Sequence, residues 1–597
     1  MNSELMSEEP PLDDQPQQRR ADAPRALAAR TLCEAFQATA ADHGDALALA
    51  AFGRDETWTW SEYAQAVRRR AAGLAGLGVT RGDVVCLMLA NRPEFNICDA
   101  AAMHLGALCC SIYNTSSEEQ IAYVLESSEP RVIFFEQAFA PPLLAAHRAA
   151  GSAADIVVVD GSAPAGALSL DELDRRGEES FDFEGSWRAI GPEDALCLIY
   201  SSGTTGPPKA VELTHDNMLS QIRAMDAVHP LTPGGRTISF LPHAHVADRW
   251  STHYSSMVYG SSVHCLDDPK QLFAYSAQVR PTGWGGVPRI WEKLKAALER
   301  MLSENPDPEA RERSASALAV GLERAAAKDA GPVPDALEAR WQQADRELFA
   351  PLRRALGLDE VEVFAVGSAP TPRHVLDFFD AVGIEICEMW GLTECSSNGA
   401  INPPGAIRRG TVGKPLPGLD VRIADDGEIL LRGRMVMRGY RNDPERTAEA
   451  IDADGWLHTG DVGVLDGDGY LRIVDRKKEL IINASGKNMS PVNIESAIKA
   501  ESSAIEHVVA IGDQRPFNVA LVVLDPESAP AGERAERLVA EAVDRANRHL
   551  SRPEQIKRFH IVGEPWETGG PCLTPTSKLR RRPIAERYAA EIDRLYA

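Results

Sequence analysis

The sequence lacks the long apolar runs and the paired cysteines that are typical of secreted, membrane-spanning and zinc-binding proteins. None of its 597 residues falls in an apolar run of the roughly 18 residues that a membrane-spanning helix needs, and the first twenty residues contain no apolar core of a secretion signal. The ten cysteines are scattered without a C-x-x-C pair, which predicts neither a zinc cage nor a disulfide framework. We therefore expect a folded protein of the reducing cytoplasm.

Positive charge is also scarce. With 63 Lys and Arg against 87 Asp and Glu, the formal net charge of −24 argues against a general nucleic-acid surface, although not against a local basic pocket for phosphate. The motifs G-x-S-x-G and H-E-x-x-H are absent, which argues against those two classes of hydrolase. A hydrophobic fraction of 44% with 25% charged residues is ordinary for a globular protein.

Apolar spacing divides the chain into segments. Residues 1–25 are too polar to bury a core and are predicted to form a disordered tail. Residues 26–474 alternate helical and strand-like spacing, which predicts a large α/β domain of layered sheets and helices. Within it, Lys, Arg, Glu and Ala dominate residues 291–354 at helical spacing and indicate a helical insertion. Residues 475–597 predict a small α+β domain with the order β-α-β-β-α-β.

A run rich in small and hydroxyl side chains lies between two predicted strands, residues 196–200 and 210–213. Its glycines let backbone N–H groups approach an anion, and its hydroxyls and one ammonium add donors, a combination that suits a triphosphate. It is not a Walker A loop, because Lys209 follows Pro208 and leads into a strand. The donors of this predicted phosphate loop are Ser201, Ser202, Gly203, Thr204, Thr205, Gly206 and Lys209.

Further motifs follow the phosphate loop in a fixed order. They read L-P-H-A-H-V-A-D-R from Leu241, M-W-G-L-T-E from Met389, W-L-H-T-G-D from Trp456 and D-R-K-K-E-L-I from Asp475, with Lys578 near the end of the sequence. Together with the phosphate loop they resemble the motifs of the adenylate-forming (AMP-binding) superfamily, which includes acyl-CoA synthetases, luciferases and peptide-synthetase adenylation domains. Ala210 and Ser577 stand where that family usually has glycine.

This resemblance implies a large N-terminal adenylate-forming domain and a small mobile C-terminal lid domain that rotates about Asp475. It also implies two half-reactions. A carboxylate attacks the α-phosphorus of ATP to give acyl-AMP and pyrophosphate, and a thiol, usually that of CoA, then displaces AMP. The implied substrates and cofactors are ATP, Mg²⁺ and CoA.

Residue roles follow from the same resemblance. Glu394 is expected to bind Mg²⁺ with Thr204, and Lys578 to bridge the substrate carboxylate and the α-phosphate. Together with His245 and Thr393, Glu394 and Lys578 form the predicted catalytic set. The predicted nucleotide ligands are Thr204, Thr205 and Lys209 for the β and γ phosphates, Thr393 for the α-phosphate, Asp461 and Arg476 for the ribose, and Gly367, Ser368, Ala369, Trp390 and Gly391 beside them.

Several assignments stay open on sequence alone. His245 is expected to line the carboxylate pocket, with core packing or a metal pair with His243 as alternatives. Lys487 lies on a loop that would reach the site after lid rotation, or on a simple turn. The small residues at 283–286 are expected to border the acyl pocket, with an ordinary turn as the alternative.

Three segments resemble the long-chain fatty-acid branch of the acyl-CoA synthetases, namely residues 113–120, 287–293 and 573–578. The predicted function is therefore conversion of a fatty acid to its acyl-CoA. The alternatives are a fatty acyl-AMP ligase that serves a carrier protein and a non-catalytic nucleotide-binding protein. No nucleic-acid partner is expected, while a homodimer and peripheral contact with a membrane are left open.

Overall fold

The computed structural model describes residues 23–201, 208–482, 488–526, 528–574 and 577–597. Most of the predicted tail lies outside these ranges. So do six predicted site residues, whose placement is therefore not described. They are Ser202, Gly203, Thr204, Thr205, Gly206 and Lys487.

The first part of the chain alternates helices and strands. Several helices begin at capping boxes. In one of them, the Thr59 side chain accepts a hydrogen bond from Glu62 N–H, and the Glu62 carboxylate accepts one from Thr59 N–H. Strands β1 to β8 are Leu47–Ala51, Trp58–Thr59, Val84–Met88, Leu108–Ser111, Val132–Phe135, Asp155–Val158, Ala167–Ser169 and Ala195–Ser201. Helices α1 to α7 are Leu32–Asp42, Trp60–Gly76, Pro93–Met103, Glu118–Ser128, Ala140–Ala149, Leu170–Asp174 and Phe183–Arg188.

The middle of the chain continues this alternation and includes the helices of the predicted insertion, which lie between Pro288 and Ala355. Strands β9 to β22 are Lys209–Thr214, Arg236–Ser239, Ser262–Cys265, Gly283–Gly286, Val363–Val366, Ile386–Trp390, Ala400–Ile401, Lys414–Pro415, Leu419–Ile423, Glu428–Gly433, Gly439–Tyr440, Leu457–Leu465, Leu471–Arg476 and Ile481–Ile482. Helices α8 to α17 are His215–Val228, Val246–Asp248, Ser255–Tyr259, Leu272–Val279, Pro288–Ser303, Pro308–Ala330, Asp335–Ala344, Ala350–Ala355, Arg373–Ala381 and Pro444–Ala450. The segments Arg249–Tyr254 and Asp345–Phe349 are π-helical.

An eight-stranded sheet forms the centre of the large domain, in the order β19-β9-β8-β4-β3-β5-β6-β7. Strands β3 to β8 pair in parallel. Every residue of β3 and β5 is buried, as expected for a parallel sheet that helices cover on both faces. Strand β9 pairs antiparallel with β8, and Ser201 lies opposite Lys209. The segment of the predicted phosphate loop therefore connects two neighbouring antiparallel strands.

Three smaller sheets have the orders β10-β11-β1-β2, β12-β13-β14-β15-β16 and β17-β18-β20-β21. Backbone hydrogen bonds align the starts of three strands. The N–H of Thr282, just before β12, donates to the carbonyl of Arg236 at 2.9 Å, and the carbonyl of Thr282 accepts from the N–H of Glu362 at 2.7 Å. Strands β10, β12 and β13 thus begin side by side, and their carboxyl ends lie on one side of the molecule.

The C-terminal part has its own sheet and apolar core. Strands β23 to β26 are Asn488–Met489, Ile505–Ile511, Asn518–Leu524 and Ile556–Val562, and helices α18 to α21 are Pro491–Lys499, Glu533–His549, Arg581–Arg587 and Ala589–Tyr596. The predicted first strand, β22, pairs with β23 in a separate two-stranded sheet, not with the three-stranded sheet β24-β25-β26. The sequence did not predict α20 and α21, because charged residues dominate them and few apolar positions, such as Ile584 and Ile592, enter the core.

Ion pairs join the C-terminal part to the helix that begins the insertion. Arg289 of α12 donates to Asp525 at 3.2 Å, and Lys499 of α18 lies 4.0 Å from Glu292 of α12. Both residues of α12 belong to the segment 287–293 that resembles long-chain synthetases. This segment therefore contacts the C-terminal part, which its sequence alone does not indicate.

A fully buried ion pair holds the π-helical segment Arg249–Tyr254 against helix α3. Asp99 of α3 accepts from Arg249, and its other carboxylate oxygen lies 2.9 Å from Nε2 of His253. Arg249 also donates to Ser111 and to Tyr254, each at 2.7 Å. Burial alone would raise the pKa of Asp99, but Arg249 and His253 outweigh it and lower that pKa to about 2.

Removing one charge from this pair is expected to destabilise the large domain strongly. Asp99→Ala leaves the Arg249 guanidinium buried without its carboxylate, a change that typically costs about 3–5 kcal/mol. We expect a clear drop in the thermal midpoint measured by circular dichroism. The matched control is Glu309→Gln in the exposed pair with Arg313, where the effect should stay within about 0.5 kcal/mol. Equal midpoints for the two variants would contradict this role of Asp99.

Candidate active site

A cavity of about 850 Å³ opens where the strands of the large domain end, and both parts of the chain line it. Ligands of open α/β sheets bind at this edge, where loops follow the carboxyl ends of the strands. Its volume is that of a site for a small-molecule ligand. Predicted site residues that line it are Ser201, Lys209, His245, Gly367, Ser368, Gly391, Thr393, Glu394, Arg476 and Lys578.

A buried carboxylate lies behind one wall of the cavity. Asp461 of β20 is 4% exposed, and it accepts from the indole N–H of Trp390 at 2.8 Å and from Arg476 Nε at 2.8 Å. Arg476 lies directly opposite Asp461 in the β20–β21 ladder. Burial raises the pKa of Asp461, and Arg476 and Trp390 work against that rise. Trp390 is thus buried and orients Asp461, instead of lining the cavity itself.

Lys578 reaches the same cavity from the C-terminal part. Its backbone is held by Thr574, whose hydroxyl accepts from the Lys578 N–H at 3.0 Å and whose own N–H donates to the Lys578 carbonyl at 2.8 Å. The surrounding protein atoms and the charge of Arg476 lower the pKa of Lys578, against the fields of Asp461 and Glu394, although the residue is still exposed to solvent. Ser577 has φ of 58°, the left-handed region that favours glycine, at the position where the family usually has that residue.

Glu394 is part of a chain of three side chains. Its carboxylate accepts from the hydroxyl of Tyr440 at 3.0 Å, and that hydroxyl accepts from Nζ of Lys209 at 3.4 Å. The Lys209 ammonium also lies 4.7 Å from the centre of the Tyr440 ring, within range of a cation–π contact. Sequence reasoning missed Tyr440, because no spacing signal connects the two-residue strand β19 with either partner.

The turn that carries Thr393 and Glu394 is tightly constrained. A Cβ atom on Gly391 would lie 1.9 Å from the carbonyl oxygen of Ser397, so no other residue fits there without moving the turn. Ser396 and Ser397 both have positive φ, of 62° and 107°. The close packing therefore fixes the backbone that directs Thr393 and Glu394 toward the cavity.

The two histidines of the H-A-H motif have different environments. His245 lines the cavity and caps the start of α9, where its Nδ1 accepts from Ala247 N–H at 3.1 Å. Burial and, secondarily, Lys578 lower its pKa to about 4, so a neutral ring carries its proton on Nε2. His243 is buried, stacks on Phe95 at 3.6 Å and lies 2.7 Å from Asp248. Within the described residues, no group of three His, Cys, Asp or Glu side chains is placed to hold a metal ion.

The remaining predicted residues differ in how they meet the cavity. Gly367 and Ser368 line it after β13, with Ser368 at a φ of 72°, whereas Ala369 is exposed to solvent beside them. Residues 283–286 form strand β12 and border the cavity along their whole length. The alternative of an ordinary turn is therefore wrong, while a role of this border in binding the acyl group stays a prediction.

The predicted hinge residue is firmly bonded in this conformation. Asp475 is 4% exposed and accepts from the hydroxyl of Ser490 and from the N–H of Val492 at 3.3 Å, both at the start of α18. Burial raises the pKa of Asp475, while these hydrogen bonds lower it. Three arginines follow at residues 580–582, and of these Arg581 pairs with the buried Glu495.

Comparison with known proteins defines the class. A sequence model of the AMP-binding enzyme family matches residues 36–441, and one of the AMP-binding enzyme C-terminal domain matches residues 478–597. The chain therefore belongs to the AMP-binding enzyme family. This membership confirms the predicted superfamily. Among the described residues, no helix has both the length and the apolar composition to cross a membrane.

Two relatives illustrate the likeness in sequence. A putative fatty-acid–CoA ligase of Mycobacterium tuberculosis, FadD11, is 48% identical over 450 residues, which cover 72% of this chain and 79% of the relative. The long-chain-fatty-acid–CoA ligase FadD15 of the same organism is 36% identical over 571 residues, which cover 91% of this chain and 93% of the relative.

A solved structure supports the fold. The adenylation domain of a carboxylate reductase from Mycobacterium chelonae matches with a TM-score of 0.75 at 20% identity, covering 98% of this chain and 97% of that one. The predicted fold, a large adenylate-forming domain with a separate C-terminal domain, is thereby confirmed.

The pKa of His245 leads to a prediction about pH. Because the ring is neutral above about pH 4, its charge should not change in the range in which an ordinary histidine titrates. His245→Asn keeps an acceptor for Ala247 N–H. We expect the ratio of wild-type to variant rates of pyrophosphate release to stay constant between about pH 5.5 and 8. A ratio that follows a titration near the ordinary histidine pKa would show that His245 gains its proton in that range and contradict the assignment.

Proposed function

We propose that this protein activates a long-chain fatty acid with ATP and transfers the acyl group to CoA. The carboxylate oxygen attacks the α-phosphorus, pyrophosphate leaves, and the CoA sulfur then attacks the carbonyl carbon of acyl-AMP to release AMP. Family membership and the fatty-acid–CoA ligases among the relatives support this reaction. The observation that carries the proposal is the meeting of Asp461–Arg476 and Lys578, from two parts of the chain, at one cavity.

The nucleotide would lie against the wall formed by β14, β20 and β21. Asp461 has a carboxylate fixed by Trp390 and Arg476, which suits it to accept hydrogen bonds from ribose hydroxyls. Thr393 lines the cavity beside it and would donate to the α-phosphate. Lys209, at the end of the phosphate-loop segment, would contact the β and γ phosphates as a point charge.

Mg²⁺ fits the donor set at Glu394. Mg²⁺ is usually held by one or two carboxylates together with substrate phosphates and water, instead of by a cage of protein ligands. Glu394 supplies one such carboxylate in the cavity, and Tyr440 holds one of its oxygens at 3.0 Å. When bound, the ion would neutralise phosphate charge that otherwise repels the incoming carboxylate. Thr204 remains a predicted second ligand.

Lys578 would act where negative charge concentrates during adenylation. An ammonium between the substrate carboxylate and the α-phosphate draws the two anions together and stabilises the charge of the transition state. The neutral Nε2–H of His245, on the same cavity, can donate a hydrogen bond to the acyl carboxylate without adding charge.

Loss of Lys578 should therefore slow the first half-reaction. We expect Lys578→Ala to reduce acyl-AMP formation by a factor on the order of 10²–10³, measured by pyrophosphate release in single-turnover reactions. Arg582→Ala is the matched control, since Arg582 belongs to the same basic run but its side chain is 78% exposed. The assignment is wrong if Lys578→Ala and Arg582→Ala adenylate the acid at the same rate.

The acceptor can be tested separately with the unmodified protein. The product of a reaction with palmitate, ATP and free CoA should be palmitoyl-CoA, identified by mass spectrometry. Accumulation of acyl-AMP without palmitoyl-CoA would instead favour the fatty acyl-AMP ligase that serves a carrier protein. The oligomeric state, peripheral membrane contact and cytoplasmic location stay predictions.

A further inference from the structure

The cavity extends well beyond the nucleotide wall, along the strands of the large domain. Its lining includes residues at the amino ends of three strands, Thr237 of β10, Gly283 of β12 and Val363 of β13, as well as Val287 and Gly367 just past the carboxyl ends of β12 and β13. Since β10, β12 and β13 begin side by side, these two sets of residues lie at two depths of one channel. We call these depths the amino-end level and the carboxyl-end level of the strands. The nucleotide-binding residues lie at the carboxyl-end level.

Two polar side chains, those of Asp226 and Tyr259, lie at the end of this channel that is far from the nucleotide wall. The hydroxyl of Tyr259 donates to Asp226 at 2.6 Å, and both residues line the cavity. The carbonyl of Tyr259 accepts from Gly234 N–H at 2.8 Å, just before β10 starts, which places the pair at the amino-end level. Between the two levels, Gly285 of β12 and its partner Ala365 of β13 line the channel.

Gly283 leaves open space at that far end. Side chains alternate along a strand, and Trp284 points away from the channel into the core, where it meets Trp291 edge-on at 4.5 Å. Gly283 and Gly285 therefore face the channel. A Cβ atom on Gly283 would have no atom within 4 Å, whereas one on Gly285 would touch Ala365 at 3.4 Å. The backbone at Gly283 is not left-handed, so larger residues are compatible with it.

The depth of Gly283 can be expressed as a length of acyl chain. Val287 lies four positions after Gly283, which is about 13 Å at the rise of a β-strand. An extended acyl chain advances about 1.2 Å per bond. This value is the extended length of one peptide residue divided by its three backbone bonds. A fatty acid with its carboxylate at the nucleotide end would thus bring roughly its twelfth carbon level with Gly283.

We propose that Gly283 is a specificity-determining residue, whose missing side chain lets acyl chains longer than about twelve carbons pass toward the Asp226–Tyr259 pair. This inference rests on the proposed function, because it assumes that the channel takes the acyl group. Octanoate would end before Gly283, and palmitate would extend past it. The nucleotide wall and Lys578 lie at the other level, so a substitution at Gly283 leaves their geometry intact.

Gly283→Leu tests the inference with two acids. We expect kcat/KM for acyl-CoA formation to fall about tenfold to a hundredfold with palmitate, because the leucine side chain would occupy the space that the longer chain needs, and to stay within about threefold with octanoate. The matched control is Gly467→Leu, since a Cβ atom on Gly467 would also have no atom within 4 Å, but Gly467 lies in an exposed turn away from the cavity. An unchanged palmitate-to-octanoate ratio in Gly283→Leu would overturn the inference.

Binding provides a readout that does not depend on turnover. Each acid should raise the thermal midpoint of the wild-type protein, and in Gly283→Leu the rise with palmitate should be lost while that with octanoate persists. A wild-type protein that forms no acyl-CoA from any acid would contradict the proposed function, and the thermal shifts would then still decide the position of the channel. Equal shifts with palmitate in the wild type and in Gly283→Leu would place the acyl chain elsewhere and overturn the inference.

Discussion

The Asp461 carboxylate, clamped between the Trp390 indole and the Arg476 guanidinium, is the interaction on which the site depends. A buried carboxylate is costly unless its oxygens are hydrogen-bonded, and here one partner contacts each oxygen at 2.8 Å. Trp390 ends β14 and Arg476 ends β21, so the clamp joins two sheets at the cavity wall. Asp475, which directly precedes Arg476, accepts a hydrogen bond from the backbone N–H of Val492 at the start of α18. The clamp therefore also fixes where the C-terminal part leaves the large domain.

Electrostatics of the cavity differ from those of the whole protein. The net charge of −24 would repel a nucleotide, yet the cavity carries a local set of cations from both parts of the chain. Because two parts contribute, the attraction for phosphate is complete only when the C-terminal part has Lys578 in the cavity. Six cationic residues line it, against five acidic ones: the cations are Lys209, Arg446, Arg476, Lys477, Lys478 and Lys578, and the acids are Asp226, Asp248, Glu394, Glu428 and Glu449.

The sequence predicted the fold class, and the contacts that it did not predict have physical reasons. Glu394 and Lys578 were predicted from short motifs, and the structure brings them to one cavity with Arg476, beside Asp461. Tyr440 was missed because its role arises only from tertiary contact across distant strands. The order β-α-β-β-α-β does not indicate that β22 pairs with β23 apart from the three-stranded sheet, since a two-residue strand has no register signal of its own.

The central claim is that this cavity joins a carboxylate to the α-phosphorus of ATP before any thiol takes part. Exchange of labelled pyrophosphate into ATP measures that step directly, in the absence of CoA. We predict exchange that requires a fatty acid and stops when the acid is omitted. Exchange that fails with every fatty acid tried, or that proceeds equally without one, would contradict the account.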